Sequence, residues 1–264
     1  MGSTLVHKVE LKVRQQLFAR RREIAVERER AGLTRLGSRY GGWWLDADLV
    51  ETIGPDDVMI SCGAGEDVSF DLEVQKRTGC RVIIVDPTPR AITHFDQLKG
   101  AAADGGTIPI NNGVHFYSTS GVDFSKINFE PVAAWNQEQS LKLWLPPNPE
   151  HVSLSVVNYE HSDSFLEVPA TTISAIANKY GATSPAVVKL DIENAEVIVV
   201  NDLLDRGLRP RQLAIEFDEL NFPSRQTMTR LHAMVAKLER CGYTARFFDG
   251  EANFLFTLPQ PAAT

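Results

Sequence analysis

The sequence predicts an α/β protein built on a doubly wound, mostly parallel sheet, with an N-terminal helical extension and a C-terminal antiparallel hairpin. From residue 57 onward, short apolar runs alternate with segments of helical periodicity. Two glycines stand between the first apolar run and the helix after it, and Asp249-Gly250 lies near the turn of the last pair of runs. Strands that alternate with helices form parallel sheets, whereas a hairpin reverses the direction of its last strand.

Length and composition are those of one large globular domain. The chain has 264 residues, of which 43% are hydrophobic and 23% are charged, as is usual for soluble proteins. No apolar stretch approaches the ~18 residues that cross a bilayer, and charges interrupt the N-terminus where a signal peptide would be apolar. Three cysteines without CxxC spacing argue against a structural zinc site or a disulfide framework. We therefore expect a cytoplasmic protein with no integral membrane segment.

Charge is distributed unevenly along the chain. Residues 1–40 hold ten Lys/Arg and four Asp/Glu, although the net charge of the chain is −7. The acidic remainder argues against nucleic-acid binding, which needs a basic surface. In residues 3–31, apolar side chains recur every four positions without Pro or Gly, which predicts an amphipathic helix. We predict a helical extension at 1–36 and a domain at 37–264, and we expect the helix to pack on the domain or on a second subunit.

The segments of the domain follow in a regular order. The glycines of GSRYGGWWL at 37–45 break the helix, and the aromatic residues of this segment are placed to cap a pocket. The Pro-rich segment at 145–158 is a long loop, of the kind that often serves as a lid. Strands are predicted at 57–62, 81–86, 127–135, 141–145, 186–192 and 212–217, helices at 66–78, 88–99, 169–181, 194–206 and 224–241, and the hairpin at 244–258.

The first predicted strand ends in SCGAGED, where Gly63 and Gly65 precede a helix. The carboxyl ends of parallel strands face the ligand crevice in such folds, and glycine lets a ligand approach the backbone closely. A dinucleotide-binding turn has a third glycine where this chain has Val68, and Glu66 and Asp67 would repel a pyrophosphate. These carboxylates suit a ligand that carries an amino group. Their alternative role is favourable charge at a helix N-terminus.

The second predicted strand ends at Asp86, 23 residues after Gly63. An acidic residue about 20 residues past a glycine turn hydrogen-bonds ribose hydroxyls in nucleotide-binding folds. Pro87 offers a rigid apolar surface to an adenine ring, although a simple turn also explains the Asp-Pro pair. Ribose, adenine and an amino group without phosphates together describe S-adenosylmethionine, which leaves S-adenosylhomocysteine as product.

Carboxylates gather where the strand VVKLDI ends. Asp191 and Glu193 follow its apolar run, and Glu216 ends the next predicted strand. The strand that ends at Asp191 should neighbour the glycine-turn strand, so its carboxyl end faces the methyl group of the donor. Asp191 favours a sulfonium and an amino group electrostatically, and each of these carboxylates is a candidate general base for a hydroxyl. Three oxygen ligands at one edge also suit Mg²⁺.

Five segments in this order resemble the FkbM-type S-adenosylmethionine-dependent methyltransferases: GSRYGGWWL, SCGAGEDVSFD, VDPTPRA, LPPNPEHVSLS and KLDIENAEVIVVNDLL. The resemblance spans residues 36–258. It implies a Rossmann-like class I methyltransferase fold and O-methylation, often of sugar hydroxyls in glycans and natural products. It implies no metal, and none is predicted. The family usually has Gly where this chain has Asn194, and Asn tolerates the left-handed backbone that such a turn requires.

Further side chains are assigned around this site. His151, in the predicted lid, is an alternative base, and His161 follows in the same loop. Glu196 is predicted on the surface at a helix start, and Lys189 is predicted to pair with a neighbouring carboxylate. The cofactor-binding residues are predicted to be Gly63, Ala64, Gly65, Glu66, Asp67, Asp86, Pro87, Ala134 and Asp191, and the catalytic residues Asp191, Glu193, Glu216 and His151.

Two other functions remain open from the sequence. A nicotinamide oxidoreductase has a similar fold, but Val68 and the Glu66-Asp67 pair count against it. A binding protein could keep the cofactor pocket without catalysis, but the complete set of acidic residues counts against that function. A Ser-His-Asp hydrolase is disfavoured because the chain has no G-x-S-x-G segment. The expected partner is a small-molecule or glycan acceptor.

Overall fold

The computed structural model describes residues 30–103, 106–110, 115–145, 154–158, 162–221 and 223–259. Nearly all of the helix predicted at 3–31 lies outside these residues, as do His151 and His161. No helix in the described parts of the chain is long and apolar enough to cross a membrane.

Strands and helices alternate through most of the described chain. The strands are β1 (Leu33–Leu36), β2 (Trp43–Asp46), β3 (Val58–Cys62), β4 (Arg81–Val85), β5 (Thr107–Ile110), β6 (His115–Ser118), β7 (Ile127–Glu130), β8 (Ala133–Ala134), β9 (Gln139–Trp144), β10 (Phe165–Thr171), β11 (Val187–Leu190), β12 (Gln212–Glu216), β13 (Thr244–Phe248) and β14 (Asn253–Thr257). The α-helices are α1 (Ala47–Glu51), α2 (Ser69–Thr78), α3 (Pro89–Ala103), α4 (Ile173–Lys179), α5 (Glu196–Asp205) and α6 (Arg225–Arg240), with short 3₁₀ turns at Phe124–Lys126 and Asp218–Leu220.

The main sheet has seven strands in the order β13-β14-β12-β11-β3-β4-β7. The five strands from β12 to β7 run parallel. β14 pairs antiparallel with β12, and β13 pairs antiparallel with β14. The doubly wound, mostly parallel sheet and the closing antiparallel hairpin predicted from the sequence are therefore confirmed.

Both faces of the main sheet are covered, and this explains the continuous apolar runs in its strands. Every residue of β3 (VMISC) and of β11 (VVKL) is buried. One face packs against α4, α5 and α6, and the other packs against α2, α3 and the β1–β2 hairpin. Strands that are buried on both faces read as apolar runs and do not alternate.

The order of the strands reverses at β3: the next strand, β4, lies on one side of it, and the later strand β11 lies on the other. Connections from the two neighbouring strands leave on opposite sides at this point, so a crevice opens at the carboxyl ends of β3 and β11. The glycine turn after β3 and the acidic segment after β11 meet there, as the sequence predicted.

Two predicted boundaries were wrong. The helix predicted from residue 169 begins at Ile173, because Phe165–Thr171 forms β10 between β8 and β9, and the Thr172 side chain accepts a hydrogen bond from the Ala175 N–H as an N-cap. The strand predicted over 127–135 is divided into β7 and β8. Pro131 stands between them, and it has no N–H to donate to a sheet.

Two short hairpins were not predicted. β1 pairs antiparallel with β2, and β5 pairs antiparallel with β6. β1 falls inside the segment assigned to the N-terminal extension, and the hairpin that it forms packs on the main sheet. Each of these strands has four residues, which is too short for an alternating pattern to be distinguished from a loop.

Candidate functional site

A cavity of about 420 Å³ opens at the carboxyl ends of β3, β4, β11 and β12. Such a volume is typical of small-molecule sites. The loop at 37–42 and strands β8 and β9 form its other walls. Every described residue that the sequence assigned to the site lines this cavity: Gly63, Ala64, Gly65, Glu66, Asp67, Asp86, Pro87, Ala134, Asp191, Glu193 and Glu216.

The glycine turn forms the floor of the cavity. Gly63 has a φ of 83°, and a Cβ at this position would lie 1.7 Å from the carbonyl oxygen of Asp191. Gly65 has a φ of 51°, and a Cβ there would meet no atom within 4 Å. Gly63 is therefore required by packing against β11, whereas Gly65 leaves its backbone open to a ligand.

Asp86 closes the glycine turn. Its Oδ2 accepts hydrogen bonds from the Ala64 N–H at 2.8 Å and the Gly65 N–H at 3.1 Å. Its Oδ1 accepts from the Thr88 N–H at 2.8 Å and the Thr88 hydroxyl at 2.6 Å. A carboxylate has about four acceptor positions, and all four are in use. The ribose contact assigned to Asp86 stays a prediction, and it would require Asp86 to share or exchange one of these bonds.

Asp67 holds the loop at 37–42 against the glycine turn. Its Oδ2 accepts from the Ser38 hydroxyl at 2.6 Å and the Gly41 N–H at 3.1 Å, and its Oδ1 accepts from the Ser69 N–H at 2.9 Å. Asp67 therefore anchors the loop at 37–42 to the start of α2, and its contact with a ligand amino group stays a prediction. Among the described residues, the Glu66 carboxylate pairs with the Arg90 guanidinium alone, at 3.8 Å.

Tyr40 sits at the tip of this anchored loop. The Arg35 guanidinium donates to the carbonyl oxygens of Ser38, Arg39 and Gly42 at 2.7, 3.0 and 3.1 Å. The Tyr40 side chain lines the cavity and is 64% exposed. A rigid loop thus presents an aromatic ring at the mouth of the cavity, which agrees with the predicted capping role of this segment.

The backbone turns sharply after β11. Glu193 and Asn194 have φ values of 55° and 79°, which lie in the left-handed region. The Asn194 N–H donates to Asp218 Oδ2 at 2.8 Å. The left-handed backbone predicted at Asn194 is confirmed, and Asp218 fixes this turn from the end of β12.

Glu216 lies in the cavity among like charges. Burial, and the neighbouring Asp191, Asp218 and Glu193, raise the pKa of Glu216 to about 8, although Lys189 opposes the shift. General bases work best when their pKa lies near the working pH.

Asn221 joins Glu216 to Asp218. Its Nδ2 donates to Glu216 Oε1 at 3.4 Å and to Asp218 Oδ1 at 2.9 Å. Together with the Asn194–Asp218 bond, this contact connects the ends of β11 and β12. The sequence did not indicate Asn221, because its role depends on the 3₁₀ turn that brings it back toward β12.

Glu196 is buried, so its predicted surface position was wrong. Its side chain turns back from the start of α5, and Oε1 accepts from the Ile192 N–H at 2.8 Å. Oε2 is buried without a hydrogen-bond partner among the described residues. Burial and the nearby Asp218 raise the pKa of Glu196 well above its usual value, because both disfavour the charged carboxylate.

Lys189 is a buried cation beside the acidic residues. Its Nζ donates to the Gly63 carbonyl oxygen and lies 3.3 Å from Asp191 Oδ2 and 5.3 Å from the centroid of the Trp43 ring. Burial alone would lower the pKa of Lys189, but Asp191 and Asp71 outweigh it and raise that pKa. The predicted pairing with a carboxylate is present, and the contact with the glycine turn was not foreseen.

Two further features are the metal-binding capacity of these side chains and the position of His94, a histidine of α3. Among the described residues, no group of three His, Cys, Asp or Glu side chains is arranged to hold a metal ion. His94 is buried, and its Nε2 lies 2.6 Å from the Tyr117 hydroxyl, away from the cavity lining.

The chain is similar to known methyltransferases. A family model described as "Methyltransferase FkbM domain" matches residues 57–245. An rRNA methylase from Streptococcus thermophilus matches with 12% identity and a TM-score of 0.40, over 80% of this chain and 92% of that one. A precorrin-6y C5,15-methyltransferase from Geobacter metallireducens matches with 13% identity and a TM-score of 0.37, over 80% and 86%. No protein among the curated sequences matches the chain.

A Salinibacter ruber RNA methyltransferase, solved in complex with S-adenosylhomocysteine, also matches. The two chains are 10% identical with a TM-score of 0.35, over 82% of this chain and 91% of that one.

We expect Asp86→Asn to open the glycine turn, because an amide NH₂ would face the Ala64 and Gly65 N–H groups. Loss of charge-assisted hydrogen bonds should lower the free energy of unfolding by about 1.5–3 kcal/mol. Calorimetry should also show at least about tenfold weaker binding of S-adenosylhomocysteine. The control is Asp96→Asn, at an exposed position on α3. Unchanged stability and affinity in Asp86→Asn would remove this residue from the site.

We expect thermal stability to fall as the pH rises from about 5 to about 8.5. The folded protein keeps a proton on Glu216 up to a pKa of about 8, whereas the unfolded chain releases it near 4.5. The stabilisation is thus complete below pH 4.5 and is lost as the pH rises toward 8. Glu216→Gln should raise the melting temperature at about pH 8.5 by about 2–4 °C. Glu239→Gln, at an exposed position on α6, is the control, and equal pH profiles for all three proteins would contradict the buried, protonated state of Glu216.

Proposed function

Because the chain belongs to the FkbM methyltransferase family, we propose that it is an O-methyltransferase acting on a sugar or a glycosylated natural product. S-adenosylmethionine is the methyl donor of this family. The acceptor and the atom that receives the methyl group are our proposal. The observation that carries it is Glu216, a carboxyl group in the cavity whose pKa is raised to about 8.

The described residues fit this donor. A cavity of about 420 Å³ ends on the open backbone of Gly65, where a side chain would meet no other atom. Ala133, Ala134 and Pro87 give the cavity an apolar part for an aromatic ring. Asp191 and Glu193 form an opposite part that favours positive charge, and the carboxyl group of Glu216 lies beside them.

When bound, S-adenosylmethionine supplies an electrophilic methyl group on a positively charged sulfur. The task of the chain would be to hold the acceptor hydroxyl in line with that methyl group. Glu216 takes the hydroxyl proton, and Asn221 keeps its carboxyl group in place. A hydroxyl group is a poor nucleophile, and removal of its proton by a positioned base contributes about 10²–10⁴-fold to the rate.

Two features of the cavity support a sugar acceptor. Carboxyl groups exchange hydrogen bonds with several hydroxyl groups at once, and three of them line the acidic part of the cavity. Tyr40 offers an exposed ring at the mouth, where it can pack against the apolar C–H face of a sugar ring. This pairing of acceptor atoms and aromatic surface matches a polyol that has one apolar face.

We expect Glu216→Gln to reduce kcat by about 10²-fold or more while the affinity for S-adenosylhomocysteine stays within about threefold, because the lost group acts on the acceptor. Asp191→Asn should mainly weaken donor binding, since Asp191 faces the positive end of the donor. In the native protein, kcat should rise with pH as Glu216 loses its proton. A cationic donor favours the carboxylate, so the apparent pKa should lie below about 8.

The assay for this prediction is a methyl-transfer screen over glycosides, with Glu239→Gln as an exposed control. Treatment with EDTA should leave the rate unchanged. Loss of activity with EDTA and recovery with Mg²⁺ would instead make the carboxylates metal ligands. Near-normal turnover in both Glu216→Gln and Asp191→Asn would end the proposal that the acidic residues supply the base. Donor binding without any transfer would favour the non-catalytic alternative.

We expect Tyr40→Ala to raise the KM for a glycoside acceptor at least fivefold, because about 1 kcal/mol of ring packing is lost. Tyr40→Phe should keep the native KM within about twofold, because it keeps the ring. The affinity for S-adenosylhomocysteine should not change in either variant. Phe116→Ala removes an equally exposed aromatic ring outside the cavity lining and is the control. Weaker donor binding in Tyr40→Ala with an unchanged acceptor KM would place the ring against the donor.

A further inference from the structure

We infer that the Lys189 ammonium binds the carboxylate at the methionine end of S-adenosylmethionine, and that Lys189 and Asp191 together recognise this zwitterionic group. The inference concerns the donor alone, so it stands apart from the hydroxyl acceptor proposed above. It starts from an imbalance of charge in the cavity. The carboxyl groups in the lining belong to Glu66, Asp67, Asp86, Asp191, Glu193 and Glu216, and the cations to Lys189 and Arg90.

This imbalance creates a problem for the donor. Its sulfonium and amino groups are positive, and the acidic lining attracts them. Its carboxylate is negative, and the same lining repels it unless a cation stands nearby. A site that binds the whole donor therefore needs at least one positive group that reaches the cavity.

Lys189 meets this requirement while buried. Its side chain is 7% exposed and still lines the cavity. Asp191 and Asp71 keep it protonated despite burial. A charge held away from bulk water is screened less than one on the surface, so its attraction for an anion is stronger.

Lys189 also has a hydrogen-bond donor to spare. An ammonium group carries three N–H donors. Two of them have partners, namely the Gly63 carbonyl oxygen and Asp191 Oδ2. No third hydrogen-bond partner of Lys189 is found among the residues that the structure describes, and the Trp43 ring packs beside the ammonium at 5.3 Å.

The geometry fits an α-amino acid. Lys189 Nζ and Asp191 Oδ2 lie 3.3 Å apart, and the amino and carboxylate groups of an amino acid are similarly close together. The cation can therefore face the carboxylate while the anion faces the amino group. Lys189 is held by Gly63, so this paired site stands next to the glycine turn, two residues from the open backbone of Gly65.

Arg90 is the competing cation. Its side chain is 45% exposed and lies 3.8 Å from the Glu66 carboxylate. Water and salt screen an exposed guanidinium, and a neighbouring carboxylate offsets its charge. The structure therefore favours Lys189 for the donor carboxylate and leaves Arg90 as a matched comparison.

The test compares S-adenosylmethionine with its decarboxylated form by isothermal titration calorimetry. The native protein should bind the intact donor at least about tenfold more tightly, since a charge-assisted hydrogen bond is lost with the carboxylate. Equal affinities would overturn the inference without any variant, even if Lys189 proves necessary for folding.

Variants of Lys189 and Arg90 then show which side chain causes the preference for the donor carboxylate. Lys189→Met should weaken binding of the intact donor by about tenfold or more and leave binding of the decarboxylated form unchanged or tighter, since a positive charge is removed near a more positive ligand. Lys189→Arg should keep part of the preference for the carboxylate. A purely structural role would weaken both ligands equally in Lys189→Met and would overturn the inference. Arg90→Gln should preserve the preference, and its loss in this variant would assign the carboxylate to Arg90. No acceptor is present, so a negative result leaves the proposed hydroxyl chemistry untouched.

Discussion

The contact between Gly63 and the carbonyl oxygen of Asp191 is the constraint on which the cavity depends. A single added carbon at Gly63 would lie 1.7 Å from that oxygen, so the glycine turn after β3 and the acidic end of β11 are locked together. The Lys189 ammonium strengthens the same junction from the side. On the proposed function, the donor and the acceptor both bind at this junction, and a close-packed junction favours in-line transfer.

Buried carboxyl groups around this junction lower the stability of the folded protein locally. Glu196, Asp218 and Glu219 are buried below the acidic end of the sheet, and burial raises the pKa of each carboxyl group. Asp218 connects the turn after β11 with the segment after β12 by accepting from the Asn194 N–H, and Asn221 joins Asp218 to Glu216. An apolar core here would be more stable, but it could not present a carboxyl group with a raised pKa to a ligand.

The sequence predicted what depends on local pattern and topology. Apolar runs identified the strands of the main sheet, and the rule that parallel strands share one functional edge brought Gly63, Asp86, Asp191 and Glu216 to one cavity. The sequence did not predict contacts that form when a side chain folds back across a turn. The burial of Glu196 and the bridging position of Asn221 are of this kind, because both follow from tertiary packing that no spacing encodes.

On the proposed function, the raised pKa of Glu216 has a consequence for how the site distinguishes donor from product. The donor is a cation at sulfur, whereas S-adenosylhomocysteine is neutral there. On the proposed chemistry, the proton that leaves the acceptor arrives on Glu216 in the same step in which the sulfur loses its charge, so the net charge of the cavity and its contents stays constant during transfer. Release of that proton to solvent then restores a negative site, which prefers a new cation to the spent thioether. Alkaline conditions should therefore relieve inhibition by S-adenosylhomocysteine, because the ionised acidic end of the sheet favours the cationic donor over the neutral product.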